Sequence, residues 1–227
     1  MRKGKFIVLE GTDGSGKTEQ FSRLVKRLRE RGHTPKTVDF PQYGKPSAYF
    51  VEKYLRGEYG TLENVGPCKA SLFYALDRYD VAEKIRKWLA QGKIILANRY
   101  AASNLGHQGV KIKTRAARKK FYKWINDLEY KILDIPKPDL NIFLHMPAKI
   151  AYRLIDRKDA RLYLRGKKRD IHEKDVNYLS RAEKIYLEIV KLFPKDFIVI
   201  ECAPKKKLLS IEEIAKKVWK IVKKRID

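Results

Sequence analysis

The chain has 227 residues, 44% of them hydrophobic, which is enough to bury a core without disulfides or a structural metal. Charged residues make up 35%, and 52 Lys+Arg against 27 Asp+Glu leave a net charge of +25; with this apolar content the charge does not make a disordered chain. Cys68 and Cys202 stand in unlike contexts with no CxxC and no Cys/His cluster, which excludes a disulfide framework and a zinc site and fits a reducing compartment.

The N-terminal apolar stretch ends at Glu10, too early for a signal-peptide core, and no run of 18 apolar residues occurs. A soluble cytoplasmic protein without a membrane partner is expected. Phe6 to Leu9 reads as a buried strand followed by a Gly-rich turn. From Lys17 to Arg31, Phe21, Leu24, Val25 and Leu28 recur at three and four, predicting an amphipathic helix closed by Gly32. Thr37 to Phe40 is a second strand, stopped at Pro41. Residues 66 to 91 carry one long helical pattern, ending at Gly92, and Ile94 to Ala97 form a third strand. Helical patterns continue to about Leu133, before the punctuation Pro136-Lys137-Pro138-Asp139.

Leu140 to Leu144 is a fourth strand and Ala148 to Arg157 a helix. Residues 157 to 174 are polar and basic, with no apolar period. A helix resumes from Tyr178 to Leu192, a fifth strand covers Phe197 to Ile200, and an amphipathic helix runs from Ser210 to about Arg225. Strands alternating with helices predict an α/β fold: a five-stranded parallel sheet with helices on both faces. Residues 1–227 read as one domain with a short basic lid at about 157–174.

The segment Gly11-Thr12-Asp13-Gly14-Ser15-Gly16-Lys17-Thr18 satisfies Gly-x-x-x-x-Gly-Lys-Ser/Thr, after a strand and opening a helix. Glycines let successive N–H groups converge on a phosphate chain, and the helix N-terminus adds its positive end. Gly11, Gly14, Ser15, Gly16, Lys17 and Thr18 are therefore candidate ATP-binding residues, with Lys17 bridging phosphates and the Thr18 hydroxyl on Mg²⁺. Such a loop fixes the phosphoryl donor and leaves the acceptor open. In an open α/β sheet the acceptor lies at the carboxyl ends of the strands. Those ends carry Phe40-Pro41-Gln42-Tyr43 and Asn98-Arg99-Tyr100. Aromatics and a guanidinium suit a small planar base bearing a phosphate.

EGTDGSGKT, FPQYG, RGEYG, LFYALDRYD, GKIILANRYAASNLGHQG, PKPDLNIFL and RDIHEKD, in this order and spacing, resemble the thymidylate kinases, a family of nucleoside-monophosphate kinases. The resemblance runs from Phe6 to about Leu192. It implies transfer of a phosphoryl group from MgATP to dTMP by a homodimer formed through helices beside the acceptor site. Carried over by position, it gives Asp13 the deoxyribose 3′-OH and a part in placing Mg²⁺. Tyr74 would stack on thymine, Arg78 would read the base edge with help from Asn104, and Asp77 would orient Arg78. Tyr43 and Arg99 would hold the acceptor phosphate, with Phe40 and Pro41 walling the base. The lid would supply a cation for the transferring phosphoryl, Arg157 and Arg161 being the candidates, because the loop has Gly14 and Ser15 where some members carry an arginine.

Three positions depart from the family pattern. Asn98 replaces an aspartate associated with Mg²⁺, leaving Thr18, Asp13 and Glu173 as metal candidates. His107 stands where the family has a tyrosine that closes off the sugar 2′ side, and His172 where it has another aromatic in the lid motif, after Asp170 and before Glu173; by resemblance His107, Asp170 and His172 are candidate dTMP-binding residues. His107 keeps open a kinase for dUMP or UMP. The charge keeps open a basic nucleic-acid-binding ATPase, yet no RNA-binding signature or aromatic-interleaved basic strand accompanies it, so nucleic acid is not the expected partner.

Overall fold

A computed structural model describes residues 3–155 and 176–226. In chain order the elements are β1 (Lys5–Glu10), α1 (Lys17–Glu30), β2 (Lys36–Asp39), α2 (Tyr49–Arg56), α3 (Leu62–Tyr79), α4 (Ala82–Ala90), β3 (Ile94–Asn98), α5 (Ala101–Gly109), α6 (Arg115–Asp127), β4 (Leu140–His145), α7 (Ala148–Ile155), α8 (Val176–Leu192), β5 (Phe197–Glu201) and α9 (Ile211–Ile226). The five strands form one sheet in the order β2-β3-β1-β4-β5, and every neighbouring pair is parallel. The predicted fold class holds. No helix among the described residues is long and apolar enough to cross a membrane.

The short apolar strands read as they do because both faces are covered. In β1, Ile7 and Leu9 pack with Leu24, Val25 and Leu28 of α1 and with Ile214, Val218, Val222 and Ile226 of α9. The alternate residues Phe6 and Val8 face the other way, onto Val81, Ala82 and Ile85 at α4 and onto Tyr100. Phe143 of β4 belongs to a third cluster with α5, α6 and α8. The i, i+4 spacing of the buried α9 residues is what lets one helix cover the sheet. Its start is fixed by Ser210, whose hydroxyl accepts the Glu213 N–H (3.2 Å) while the Glu213 carboxylate accepts the Ser210 N–H (2.7 Å).

Two readings are corrected, and a third lies beyond the described residues. The helical pattern of residues 66 to 91 is two helices, not one: α3 begins earlier, capped by Thr61, and bends at Gly66 (φ 71°), ahead of Pro67. It ends at Tyr79, and α4 starts at Ala82. Residues 49–56, unassigned from the sequence, form α2 because Val51, Tyr54 and Leu55 bury one face against Val65 and Ala70. The helix predicted to reach Arg157 is described only to Ile155, and the lid segment lies outside the described residues.

The carboxyl ends of β4 and β5 are joined through His145. Its Nε2 meets Glu183 of α8 at 2.9 Å and its Nδ1 meets Glu201 at 2.5 Å. The other Glu183 oxygen accepts the Ala148 N–H at the start of α7 (2.8 Å). Hydrogen bonding to Glu183, partly opposed by burial, raises the His145 pKa. The Glu183 carboxyl is raised by burial, but His145 and the Ala148 N–H outweigh this and hold it low. A raised imidazole stabilises the fold fully below its unfolded pKa of about 6.5 and stops doing so as pH rises through the folded value. His145→Gln should therefore lower Tm most near about pH 6, with the difference from wild type shrinking toward about pH 9. A difference independent of pH in thermal melts would contradict this.

Candidate active site

The loop after β1 is shaped by glycines at two points. Gly16 (φ 81°) starts α1 from a left-handed conformation. At Gly14 (φ 78°) a Cβ would lie 2.2 Å from the Ala151 carbonyl oxygen, so α7 rests directly on the loop. Lys17 is buried and donates to the Gly11 and Thr12 carbonyls, 2.9 Å each. Thr18 is exposed in the first turn of α1. The buried Thr12 and Ser15 hydroxyls have no hydrogen-bond partner among the described residues. Buried polar groups of this kind suit a polar ligand that completes them.

Arg99 crosses from the end of β3 to this loop. Its backbone is left-handed (φ 66°), a conformation that costs a non-glycine residue about 1 kcal/mol or more, and its N–H donates to Leu9 O at 2.9 Å. The turn aims the side chain back at β1. Nη2 pairs with Asp13, and Nη1 donates to Gly11 O (3.1 Å) and Ser103 Oγ (3.3 Å). Burial opposes the guanidinium charge, but Asp13 overrides it and holds Arg99 protonated more firmly than usual; the Tyr43 phenol adds to this electrostatically. Asp13, Arg99, Lys17 and Tyr43 are thus brought together as expected.

His107 meets the same guanidinium, its Nε2 lying 3.1 Å from Arg99 Nη1. A guanidinium only donates, so Nε2 accepts and the ring proton sits on Nδ1, 3.3 Å from the Tyr178 oxygen. Burial and then the Arg99 charge push His107 down to about 3, so the ring is neutral. From α5 it braces the Arg99 guanidinium.

Two carboxylates that sequence reading left out organise this region. Glu10, fully buried at the end of β1, accepts from the Tyr100 N–H and Ser103 Oγ, 2.8 Å each, and from the Tyr186 hydroxyl at 3.4 Å. Burial raises its carboxyl, against Arg99 and these hydrogen bonds. The signal was present: an acid closing an otherwise apolar strand. Glu129, buried in the π-helical turn Leu128–Ile132, accepts from Arg78 Nε at 3.0 Å and pairs with Arg78 Nη2. The Asn104 amide also donates to Glu129 (2.9 Å) and to Ser71 O (3.1 Å).

Asp77 does not orient Arg78, as the sequence suggested. It accepts the Gln42 N–H (2.9 Å) and the Ser47 hydroxyl (2.6 Å), fixing the loop after β2. Phe40 is also reassigned: only 3% exposed, its ring packs on Tyr100 at 5.4 Å inside the core rather than walling the cleft, and Pro41 beside it is buried. Tyr74 is half-buried, edge-on to Tyr54 at 6.2 Å. Arg157, Arg161, Asp170, His172 and Glu173 lie outside the described residues.

The end of β2 adds Asp39, in register with Asn98 of β3. Its side chain is exposed. Crowding by the surrounding protein raises the carboxyl, while the Asn98 amide, Arg99, Lys17 and the Phe40 N–H draw it back down. The donors here (Asp13 and Asp39 carboxylates, the Thr18 hydroxyl and the partnerless buried Asn98 Oδ1) are all hard oxygens, the set Mg²⁺ prefers. Among the described residues no three acids, histidines or cysteines form a cage. That fits an ion taking most of its ligands from phosphate and water.

A parallel sheet in this strand order, a glycine-rich loop with an inward lysine, and an arginine facing it from the next strand define a phosphotransferase of the nucleoside-monophosphate kinase class. A sequence model of the thymidylate kinase family matches residues 9–214, and the chain belongs to that family. The thymidylate kinase of Mycobacterium tuberculosis is 31% identical over 185 residues, covering 81% of this chain and 84% of the relative. That of Caulobacter vibrioides is 31% identical over 202 residues, covering 88% and 89%. That of Deinococcus radiodurans is 26% identical over 226 residues, covering 99% of each. The thymidylate kinase structure from Candida albicans superposes with a TM-score of 0.73 over 98% of this chain and 92% of that one, at 22% identity, a likeness of fold.

The buried Arg78–Glu129 pair yields a prediction. Glu129→Gln leaves the Arg78 charge desolvated without its counterion and should cost about 3–5 kcal/mol of unfolding free energy. Urea denaturation checks this; a loss under about 1 kcal/mol would mean the pair is not what holds α3 to the turn after α6.

Proposed function

We propose that this chain transfers the γ-phosphoryl group of MgATP to dTMP, giving ADP and dTDP. The observation that carries the reading is the Arg99 bridge: the phosphate-loop lysine and the acceptor-side arginine donate to the same Gly11 carbonyl, and Asp13 pairs with the arginine. Two anionic substrates thereby face a common cationic centre. Phosphoryl transfer requires little covalent chemistry from protein, so positioning and charge neutralisation do most of the work.

On the donor side, Gly11, Gly14, Ser15 and Gly16 turn backbone N–H groups toward the phosphates. Lys17 leaves its loop carbonyls to bridge the phosphates, and Thr18, Asp13 and Glu173 hold the Mg²⁺ side. The metal ion, when bound, neutralises the charge on the phosphate oxygens. On the acceptor side, Arg99 and Tyr43 hold the dTMP phosphate, Asp13 orients the sugar hydroxyl, Tyr74 offers a ring face to the base, and Arg78, through the Nη1 atom that Glu129 does not engage, reads its edge beside Asn104. The lid, residues about 157–174, brings Arg157 or Arg161 to the transferring group, with Asp170 and His172 toward dTMP, and closure excludes water. Residues 1–227 act as one catalytic unit in a cytoplasmic setting.

The test is ADP formation with MgATP and, singly, dTMP, dUMP, UMP, CMP or single-stranded DNA. Activity strongest with dTMP supports the reading. Comparable rates with UMP would make this a relaxed pyrimidine kinase, and hydrolysis stimulated only by DNA would overturn it. Arg99→Ala should lower kcat/KM for dTMP by about 10²–10³-fold, the scale for removing one charge-stabilising donor.

We also infer a homodimer. Phe50 of α2 and Leu72, Leu76 and Tyr79 of α3 are large apolar side chains left exposed beside the acceptor side. Leu76→Asp should shift the protein to monomer in sedimentation velocity; an unchanged sedimentation coefficient would remove this surface as the interface.

A further inference from the structure

One lysine amine is drawn into the protein on the acceptor side. Lys111, in the turn after α5, donates from Nζ to the Tyr54 hydroxyl at 2.7 Å and lies 3.5 Å from the Gly66 carbonyl oxygen. These partners belong to two further elements, α2 and the bend of α3. Burial draws the amine's pKa down to about 8, partly offset by Glu63. Desolvating an ammonium is unfavourable, and an apolar side chain would join the same elements without that cost. The surroundings of Tyr54 indicate what the amine accomplishes there.

Tyr54 is fully buried, in a cluster with Val51, Leu55, Val65 and Ala70. Its ring stands at 89° to that of Tyr74, with centroids 6.2 Å apart. A perpendicular pair at this spacing has one preferred geometry, so whatever fixes one ring limits the tilt of the other. Packing holds the body of Tyr54. The charged hydrogen bond to its hydroxyl fixes how the ring sits against α3, and an apolar side chain could not do that. Tyr74 itself is only half-buried, so its plane depends on such a neighbour.

We propose that Lys111 and Tyr54 form a relay that sets the plane of Tyr74, and thereby the platform on which the acceptor's base stacks. This rests on the stacking role given to Tyr74 in the reading above, and it concerns residues that reading does not use. Both are positioning residues: neither is assigned a substrate contact, and each reaches the base through the Tyr74 ring. The relay acts on the planar base, whereas Arg99 acts on the phosphate.

The experiment is calorimetric titration of the full-length protein with dTMP and, separately, with ADP. Lys111→Met and Tyr54→Phe should each weaken dTMP binding about three- to tenfold, the range of one ring pair. ADP affinity should stay within about twofold of wild type, because the relay lies away from the phosphate loop. Tyr74→Leu should weaken dTMP binding by itself. Adding Lys111→Met to Tyr74→Leu should change it by less than about twofold, since the ring through which the amine acts is gone. Equal losses from Lys111→Met with and without Tyr74→Leu mark a general structural role and overturn the proposal, as does unchanged dTMP affinity in Lys111→Met. If Lys111→Met does not fold, Tyr54→Phe, which keeps the ring, carries the same comparison. Unchanged affinity in Tyr74→Leu removes the stacking platform, and the relay with it. Should wild type bind dTMP without phosphorylating it, the kinase reading fails while these titrations still decide the relay; wild type that binds no dTMP overturns both.

Discussion

One guanidinium holds the working end of this molecule together. Arg99 ties the loop after β1 to α5 through Gly11, Asp13, Ser103 and His107, and it does so from a backbone conformation that side chains avoid. The strain is tolerable because each neighbour is itself held. Glu10 secures the Tyr100 N–H and Ser103, and Tyr178 fixes the His107 ring. With His107 neutral, the guanidinium faces an acceptor rather than a second cation. The positive charge is therefore kept at full strength and pointed before any substrate arrives, which is what electrostatic preorganisation demands.

The same logic recurs one layer out. Arg78 is desolvated almost completely, an arrangement that is unfavourable unless the charge is paired, and Glu129, itself held by the Asn104 amide, pairs with its Nε and Nη2. Asp77, next to Arg78 in sequence, serves a different element, the loop after β2. Neighbouring residues on one helix thus brace opposite walls of the acceptor side. A helix that is kinked at Gly66 and stops at Tyr79 can present both side chains without carrying α4 along the same axis.

Much of this was legible in the sequence. The five strands are short apolar runs bounded by turn residues, and the glycine-rich loop sits in the only context that gives it meaning. What could not be read has a common cause: distance along the chain. Arg78 and Glu129 are separated by 51 positions, and no local pattern marks Glu129 as its counterion. Phe40 at a strand end reads equally as core or cleft until Tyr100 packs against it. The break at Asp80–Val81 escapes detection because Val81, Ile85, Trp88 and Leu89 continue an apolar rhythm across it, without glycine or proline to interrupt. Asp39 and Asn98 are each unremarkable alone, and only strand pairing makes them neighbours.

The close approach of Ala151 to Gly14 also limits how the molecule can change. A side chain at position 14 would have to pass through a helix carbonyl, so this loop cannot acquire a charged group there by a single substitution. A cation added to the transfer site therefore comes from a position other than 14, unless α7 first moves away from the loop. Position 14 is held to glycine by a helix that packs on it rather than by the nucleotide, so variation that tunes transfer falls elsewhere.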